Sequence, residues 1–207
     1  MINVNSSIPL SAHERETIRA EPGRDNGLDK KVYREEICLA LDSATLDEIR
    51  VFRKREYRHV YPMMDLDNDL LDKQALILYS RNASGVIDST ARLTFDGPHS
   101  LPEEQYLGSY REKGFRVMEM GRFIKKRAGL KLLKNYYRAF YLIAQRAGCD
   151  VIVMAMQREH IRFHQNKMGL EIIKLETGEY YGGKHNLACV AWRIKNTKAE
   201  FLQWIAS

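Results

Sequence analysis

The segment from Glu119 to Lys131 combines residue types that could support chemistry on an anionic substrate. A predicted strand with a single carboxylate, Glu119, is followed by a cluster of cations and by a helix that begins at Gly129. The free N–H groups at the start of a helix favour a phosphate. Four cations add positive charge here: Lys125, Lys126, Arg127 and Lys131. The pattern predicts a phosphate-binding turn, and a basic strand edge without a ligand is the alternative.

The positive charge of the chain is concentrated around this segment. Residues 111–146 contain 11 Lys or Arg residues but only Glu112 and Glu119 as acids, whereas the whole chain carries a net charge of +6. The rest of the chain is therefore mildly acidic. A local basic block indicates an anionic partner, which charge alone leaves open among a phosphorylated cofactor, an acidic protein and a nucleic acid.

Two other groups of chemistry-bearing residues do not predict a site. Asp65, Asp67 and Asp69 alternate as in a calcium-binding loop, but the following residues do not continue that pattern. His160 and His164 lie one helical turn apart without a third ligand at a suitable spacing, and we interpret them as exposed helix residues. We expect no metal and no permanently bound cofactor.

The predicted elements form a mixed sheet flanked by helices. The chain has 207 residues, 44% hydrophobic and 29% charged, which suits one well-buried domain. Residues 1–30 are interpreted as a mobile N-terminal arm and residues 31–207 as a single domain. Apolar periodicity predicts the order β-α-β-β-β-α-β-α-β-β-α. This order indicates an α/β or α+β fold, and not a doubly wound nucleotide-binding fold.

The clearest helix begins at Gly129 and ends at Gly148. Leu130, Leu133, Tyr137, Phe140 and Ala144 are predicted to share its core face. Lys131, Lys134 and Arg138 share another face and extend the basic block along the helix. Upstream, a helix is predicted to begin at Asp42 and to end at Pro62.

Composition also bears on the cellular setting. The three cysteines, Cys38, Cys149 and Cys189, are odd in number and far apart, so a disulfide framework is not expected. The N-terminus lacks the apolar core of a secretory signal peptide, and no apolar run has the length of a membrane helix. We therefore expect a cytoplasmic protein without integral membrane association.

Four short motifs resemble those of acyl-homoserine-lactone synthases and the related N-acyl amino acid synthases, within the GNAT N-acyltransferase superfamily. They are Arg53-x-x-x-Tyr57, Asp69-x-x-Asp72, Ala91-Arg92-Leu93 and Glu119-x-x-Arg122-Phe123. Each is weak alone, but together and in this order they are fairly specific. The lactone synthases carry a Trp shortly after the first motif, which is missing from residues 58–62 here. This departure favours an amino acid over S-adenosylmethionine as acceptor.

The resemblance implies a GNAT-like fold and a thioester donor, from an acyl carrier protein or coenzyme A, bound where the fourth and fifth strands separate. Glu119 would accept the proton of the attacking amine; a salt bridge to Arg122 is the alternative. Backbone N–H groups near Phe123 and Ile124 would polarise the thioester carbonyl. No activated nucleophile is evident, so we expect direct transfer without an acyl-enzyme.

The same motifs imply the binding residues. Those for the acceptor are Arg53, Tyr57, Asp69, Asp72, Arg92 and Arg122. Alternatively, the two aspartates only neutralise the arginines. Those for the donor are Lys125, Lys126, Arg127, Gly129, Lys131, Lys134 and Arg138. The length of this basic stripe favours a carrier protein over coenzyme A. Four residues are candidates for an apolar acyl slot: Val151, Val153, Met154 and Met156.

The sequence therefore predicts an N-acyltransferase that moves a long-chain fatty acyl group to the amine of an amino acid, with tyrosine suggested by the family. One alternative is an acyl-homoserine-lactone synthase that uses S-adenosylmethionine. Another is a non-catalytic nucleic-acid-binding module that uses the basic block. Three aromatics within that block, Tyr136, Tyr137 and Phe140, lie mostly on the predicted core face, which disfavours base stacking and a nucleic-acid partner.

Overall fold

Seven strands in the described part of the chain form one mixed sheet in the order β1-β2-β3-β4-β5-β7-β6. The computed structural model describes residues 37–64, 66, 69–180 and 183–207. The strands are β1 (Cys38–Leu39), β2 (Ala75–Arg81), β3 (Ile87–Phe95), β4 (Val117–Lys125), β5 (Val151–Gln157), β6 (Glu171–Tyr180) and β7 (Gly183–Arg193). The predicted N-terminal arm and the Asp65 and Asp67 part of the calcium pattern lie outside the described residues.

In the described ranges, five helices flank the sheet: α1 (Ser43–Tyr57), α2 (Gly108–Glu112), α3 (Leu130–Arg146), α4 (Arg158–Met168) and α5 (Ala199–Ala206). Short 3₁₀ turns occupy Leu70–Gln74, Glu104–Tyr106 and Ile194–Asn196. The predicted order of strands and long helices is confirmed. The connection between β3 and β4, which contains Gly, Pro and Ser, also holds the short helix α2.

The first helix begins where its capping residue predicts. Asp42 accepts a hydrogen bond from the backbone N–H of Thr45 at 2.8 Å, which satisfies one of the free donors of the first turn. Ile49 and Phe52 are buried against the β2–β3 face of the sheet. The helix ends at Tyr57, well before Pro62, so the prediction that proline ends it is wrong.

The main core lies between the sheet and α3. Its aromatic residues include Tyr136, Tyr137 and Phe140, which are fully or almost fully buried. Leu130, predicted to share the core face, is instead 57% exposed because it is the first residue of the helix, whose burial begins at Leu132. The three core aromatics are consequently not available to stack on nucleic-acid bases.

A bulge in β4 interrupts its pairing with β3. Thr90 pairs with Ile124 and Arg92 with Gly121, so the two residues between Gly121 and Ile124 face one residue of β3. Arg122 occupies this bulge with φ of +53°, a left-handed conformation that is uncommon outside glycine. The parallel pairing of β4 with β5 extends only from Val117 to Glu119. Beyond Glu119 the strands separate, at the place where the resemblance implied a cleft.

The β6–β7 hairpin is longer than its apolar pattern predicts. The apolar pattern predicts strands over residues 171–175 and 187–194, whereas pairing continues to Tyr180 and Gly183. The polar residues near the tip lack the alternation that marks a half-buried strand.

None of the helices in the described ranges is long and apolar enough to cross a bilayer.

Candidate active site

A cavity of about 670 Å³ lies where β4 and β5 separate. One end is polar and is formed by the end of α1, the connections after it, and β3 and β4. Its lining residues are Tyr57, Tyr61, Met64, Asp69, Leu71, Arg92, Pro102, Glu103 and Glu119. The rest is lined from β4, α3, β5, α4 and β7 by Met120, Gly121, Arg122, Phe123, Lys125, Leu133, Tyr137, Ala155, Met156, Gln157, His160, His164 and Leu187. This volume is in the range of small-molecule sites.

Glu119 forms part of the cavity wall and is only 3% exposed. Its Oε2 accepts a hydrogen bond from Thr94 Oγ1 at 2.7 Å, and its Oε1 lies 3.5 Å from Arg92 Nη2. The expected alternative, an ion pair with Arg122, is not formed, because Arg122 pairs with Asp69. A carboxylate held in this way can accept a proton from a group in the cavity without first changing its position.

Gly121 leaves the room that the Glu119 carboxylate occupies. A Cβ on Gly121 would lie 1.9 Å from Glu119 Oε1, so any side chain there must displace the carboxylate. We expect Gly121→Ala to lower the rate of any reaction that depends on this carboxylate about 10–100-fold, since small misplacements of a reacting group are costly. Steady-state kinetics on the purified variant measure this effect.

Gly108→Ala is the matched control, because a Cβ at Gly108 meets nothing within 4 Å. Its rate should equal that of the unmodified chain. If Gly121→Ala were equally active, the position of the Glu119 carboxylate would not matter for the reaction.

The two motif aspartates bind the motif arginines. Asp69 Oδ2 accepts from Arg92 Nη1 at 2.7 Å and from Arg122 Nε at 2.9 Å. Asp72 accepts from Arg53 Nη1 at 2.9–3.0 Å. Burial opposes ionisation of Asp69, but the two guanidinium groups outweigh it, and its pKa is lowered. The aspartates therefore neutralise the arginines, which was one of the two interpretations of these motifs.

The arginines differ in their access to the cavity. Arg53 is 2% exposed and, like Asp72, lies behind the cavity wall, whereas Arg92 and Arg122 contribute to the lining. Arg92 is enclosed by three carboxylates, which outweigh its burial and raise its pKa. Arg122 retains more exposure, 16% for its side chain. Of these residues, Arg122 is the best placed to bind an anionic group in the cavity.

Two tyrosines form the wall beside Arg122. The ring centres of Tyr57 and Tyr61 lie 5.3 Å apart, and the Arg122 guanidinium lies 6.0 Å from the centre of the Tyr57 ring. Burial raises the pKa of Tyr57 to about 12, although nearby arginines oppose the shift. The phenol consequently stays neutral at physiological pH.

Glu103 is a cavity residue that the sequence did not identify. It lies in the connection between β3 and β4 and is 7% exposed. Burial and the negative charge of Glu119 raise its pKa to about 8. The only sequence signal was a pair of acids after Pro102, which is typical of a solvated loop.

Tyr137 and His164 form an unpredicted hydrogen-bonded pair in the cavity lining. Tyr137 Oη is 2.5 Å from His164 Nε2, and His164 Nδ1 is 2.7 Å from the carbonyl oxygen of His160. The carbonyl can only accept, so Nδ1 carries the proton and Nε2 accepts from the phenol. His164 is buried, which corrects the interpretation of it as an exposed residue, and burial lowers its pKa. Packing of α4 on α3 and α5, which periodicity alone does not specify, accounts for the difference.

The prediction of the residues that form an apolar slot is largely wrong. Met156 lines the cavity, but Val151 and Val153 face the opposite side of the sheet, where they pack with Leu101 and Leu107. Met154 is fully buried in the main core. Successive side chains of a strand point to opposite faces of the sheet, and both faces of β5 are covered by other elements. The apolar surface of the cavity comes instead from residues on several elements: Met120, Phe123, Leu133, Ala155, Met156 and Leu187.

The cations of the β4–α3 turn mostly have partners within the chain. Lys125 lines the cavity and donates to the carbonyl oxygens of Arg127 at 2.6 Å and Gly129 at 3.2 Å. Arg127 pairs with Asp88 at 2.8 Å. These bonds shape the turn that precedes α3, and they leave Arg127 less available to a ligand than its sequence position suggested. Lys126 is exposed and pairs with Glu56 at 2.8 Å.

The basic stripe along α3 is also partly occupied. Lys134 donates to Ser207 Oγ at 2.7 Å, and Arg138 donates to the carbonyl oxygen of Ile205 at 2.7 Å. Both bonds attach α5 to α3. Lys131 is exposed. Of the seven residues predicted to bind the donor, only Lys125 lies in the cavity lining.

Comparison with known proteins relates this geometry to one family. Residues 49–191 match the family described as N-acyl amino acid synthase FeeM. The match begins in α1 and ends in β7, so it includes the cavity and all four motifs. None of the curated proteins compared with the sequence matches it.

Solved structures share the fold. The structure of FeeM, an N-acyl amino acid synthase from uncultured soil microbes, superimposes with a TM-score of 0.66 at 15% identity, covering 79% of this chain and 92% of that one. The AHL synthase LasI gives 0.57 at 9% identity, covering 77% and 90%. A ribosomal-protein-alanine N-acetyltransferase from Brucella melitensis gives 0.53 at 14% identity, covering 76% and 98%. The architecture is thus that of the GNAT acyltransferases.

Proposed function

The chain belongs to the N-acyl amino acid synthase FeeM family and is an acyltransferase, and from this premise we propose that it moves a long-chain fatty acyl group from an acyl carrier protein thioester to the amine of an amino acid. The observation that carries the proposal is the Glu119 carboxylate. It is buried and hydrogen-bonded to Thr94, and it faces a cavity at the point where β4 and β5 separate.

The acceptor occupies the polar end of the cavity and extends to Arg122. Its amine lies against Glu119, and its carboxylate binds Arg122, whose planar guanidinium suits a carboxylate. Tyr57 and Tyr61 form the adjoining wall. An aromatic acceptor such as tyrosine would fit against these rings. Arg53 and Asp72 support the site from behind, by holding α1 against the connection that carries Asp69.

Transfer requires two protons to leave the acceptor nitrogen. Glu119 accepts the first, which converts the ammonium into a nucleophilic amine. The nitrogen then attacks the thioester carbonyl, the C–S bond breaks with its electron pair on sulfur, and the thiolate takes up the second proton. Backbone N–H groups at Phe123 and Ile124, next to the bulge, polarise the carbonyl. No covalent acyl-enzyme is needed.

The acyl chain lies against the apolar part of the cavity, and the thioester occupies the β4–β5 cleft. Apolar lining from Phe123, Leu133 and Met156 would stabilise each buried methylene by about 0.8 kcal/mol. The phosphopantetheine arm reaches the cleft past the turn before α3. The carrier protein is the donor on this proposal, and coenzyme A is the alternative. No cofactor is bound permanently.

The carrier protein docks on the basic surface at the start of α3. We expect Lys131→Glu to lower kcat/KM for the carrier-bound thioester about 3–10-fold, because an exposed interface charge mainly changes association. A small pantetheine thioester should be used as before. Steady-state kinetics with each of the two donors measure the difference in kcat/KM.

Lys113→Glu is the control, because it makes the same charge change before β4 begins, at the opposite end of that strand. Lys134 is less suitable, since it also bonds Ser207 and lies over the Trp204 ring. Equal losses with both donors in Lys131→Glu would contradict carrier docking at this surface.

We also propose that residues 31–207 act as one domain and that the reaction is cytoplasmic. A single sheet joins elements from Cys38 to Arg193. Among the described residues, none of the three cysteines forms a disulfide, which suits a reducing compartment.

Mass spectrometry of organic extracts tests the function. Cells expressing this chain should accumulate a fatty acyl amide of an amino acid, and cells expressing Glu119→Gln should not. The product identifies both the acyl group and the acceptor. Release of methylthioadenosine with an acyl-homoserine lactone would instead favour S-adenosylmethionine as acceptor. Extracts without any new acylated compound would contradict the proposal.

A further inference from the structure

Glu103 is a buried carboxyl group for which the chain supplies no evident task. It lies just before the 3₁₀ turn Glu104–Tyr106, but its side chain does not cap that turn. Within the ranges that the structure describes, its buried Oε2 has no hydrogen-bond partner. The adjacent Glu104 differs, because it pairs with Arg111 at 2.8 Å and does not line the cavity. Glu103 thus presents an unpaired oxygen beside Glu119.

An unpaired buried carboxyl oxygen is costly, so such a group is either kept neutral or reserved for a ligand that donates to it. The charged groups facing Glu103 are Glu119 and Arg122 on β4 and Arg92 on β3. Burial and the charge on Glu119 raise the pKa of Glu103 to about 8, and the arginines reduce this effect. In the free protein at pH 7, Glu103 is therefore mostly protonated.

We propose that Glu103 is a second carboxyl group of the acceptor site, and that it accepts a hydrogen bond from the ammonium group of the incoming amino acid. The acceptor would then be selected as a cation held between Glu103 and Glu119. This inference rests on the proposed function and adds a residue that determines acceptor specificity. The reacting proton still goes to Glu119, and Glu103 binds and orients the nitrogen.

Proton release follows from this arrangement. An ammonium group beside Glu103 stabilises its carboxylate form, so Glu103 loses its proton to solvent when the acceptor binds. The pair of carboxylates then carries two negative charges against one positive charge on the ligand. At pH 7 the binding of the amino acid should release between 0.5 and 1 proton, roughly as expected for one group that titrates near pH 8.

The test compares Glu103→Gln with the unmodified chain, using tyrosine and its 2-hydroxy acid analogue, 3-(4-hydroxyphenyl)lactic acid, as probes. The KM for tyrosine should rise about 10–100-fold in Glu103→Gln, as expected for loss of a charge-assisted hydrogen bond. Inhibition by the hydroxy acid, which has no ammonium group, should change less than about twofold. Calorimetry in buffers of different ionisation enthalpy should show that proton release is lost.

Glu104→Gln is the matched control and should behave like the unmodified chain in all three measurements. The melting temperature of Glu103→Gln should not fall, since an unpaired carboxyl is replaced by a neutral amide. Parallel changes with tyrosine and the hydroxy acid, or no change with either, would overturn the assignment of Glu103 while leaving the proposed function intact. If the unmodified chain acylates no amino acid, both proposals are wrong.

Discussion

Replacement of Glu119 by glutamine should lower kcat about 10²–10⁴-fold, the range expected for loss of a general base. Glutamine keeps the size of the side chain and can still bond Thr94, but it cannot accept the proton of the ammonium group. The variant therefore loses proton acceptance at this position and keeps the shape of the cavity. Amide formation followed by mass spectrometry, at saturating concentrations of both substrates, measures kcat.

Raising the pH should partly restore the rate of Glu119→Gln. At higher pH a larger fraction of the acceptor enters as a neutral amine and no longer needs a protein base. The ratio of rates between the variant and the unmodified chain should therefore rise with pH. Unchanged kcat in the variant at pH 7 would mean that Glu119 only balances the charge of Arg92.

The second large effect concerns stability. Asp72→Ala removes the main partner of Arg53. The Arg53 side chain is 2% exposed, and no other carboxylate in the described part of the chain pairs with it. Breaking one side of a buried ion pair typically costs about 3–5 kcal/mol, because a charge is left buried without compensation. Urea unfolding, followed by circular dichroism, measures the change in the free energy of unfolding.

Asp47→Ala is the control for this prediction. Asp47 pairs with Arg50 on the exposed surface of α1, and such pairs contribute about 0–1 kcal/mol. If Asp72→Ala lost less than about 1 kcal/mol, the Arg53–Asp72 pair would not hold α1 in place. Replacing both partners together, as in Arg53→Met with Asp72→Leu, should recover much of the loss.

The sequence predicted most elements because their signals are local. Asp42 caps α1 through a bond to a residue three positions away, and Gly169 ends α4 with a φ of +76° that suits glycine. The bulge at Arg122 carries no such signal. A non-glycine residue takes a positive φ there because the pairings of β4 with β3 require an extra residue, and those pairings are not visible in local sequence.

The site was predicted to a similar extent and for similar reasons. Alternation along β3 and β4 brings Arg92 and Glu119 to the cavity, as the family motifs implied. The basic stripe was only partly predicted, since Lys134 is bonded to Ser207, 73 positions away. Glu103 and the Tyr137–His164 pair were missed because distant elements bury them. Residue type and spacing indicate which groups are present, but burial and partners decide which are free to act.

Thiol release that depends on an amino acid tests the acyl transfer most directly. The purified chain would be mixed with a fatty acyl thioester of an acyl carrier protein and with single amino acids, and both free thiol and amide would be quantified. We expect one thiol to be released for each N-acyl amino acid formed, with little release when the amino acid is omitted. Thiol release that no amino acid stimulates, with no amide formed, would contradict N-acyl transfer by this protein.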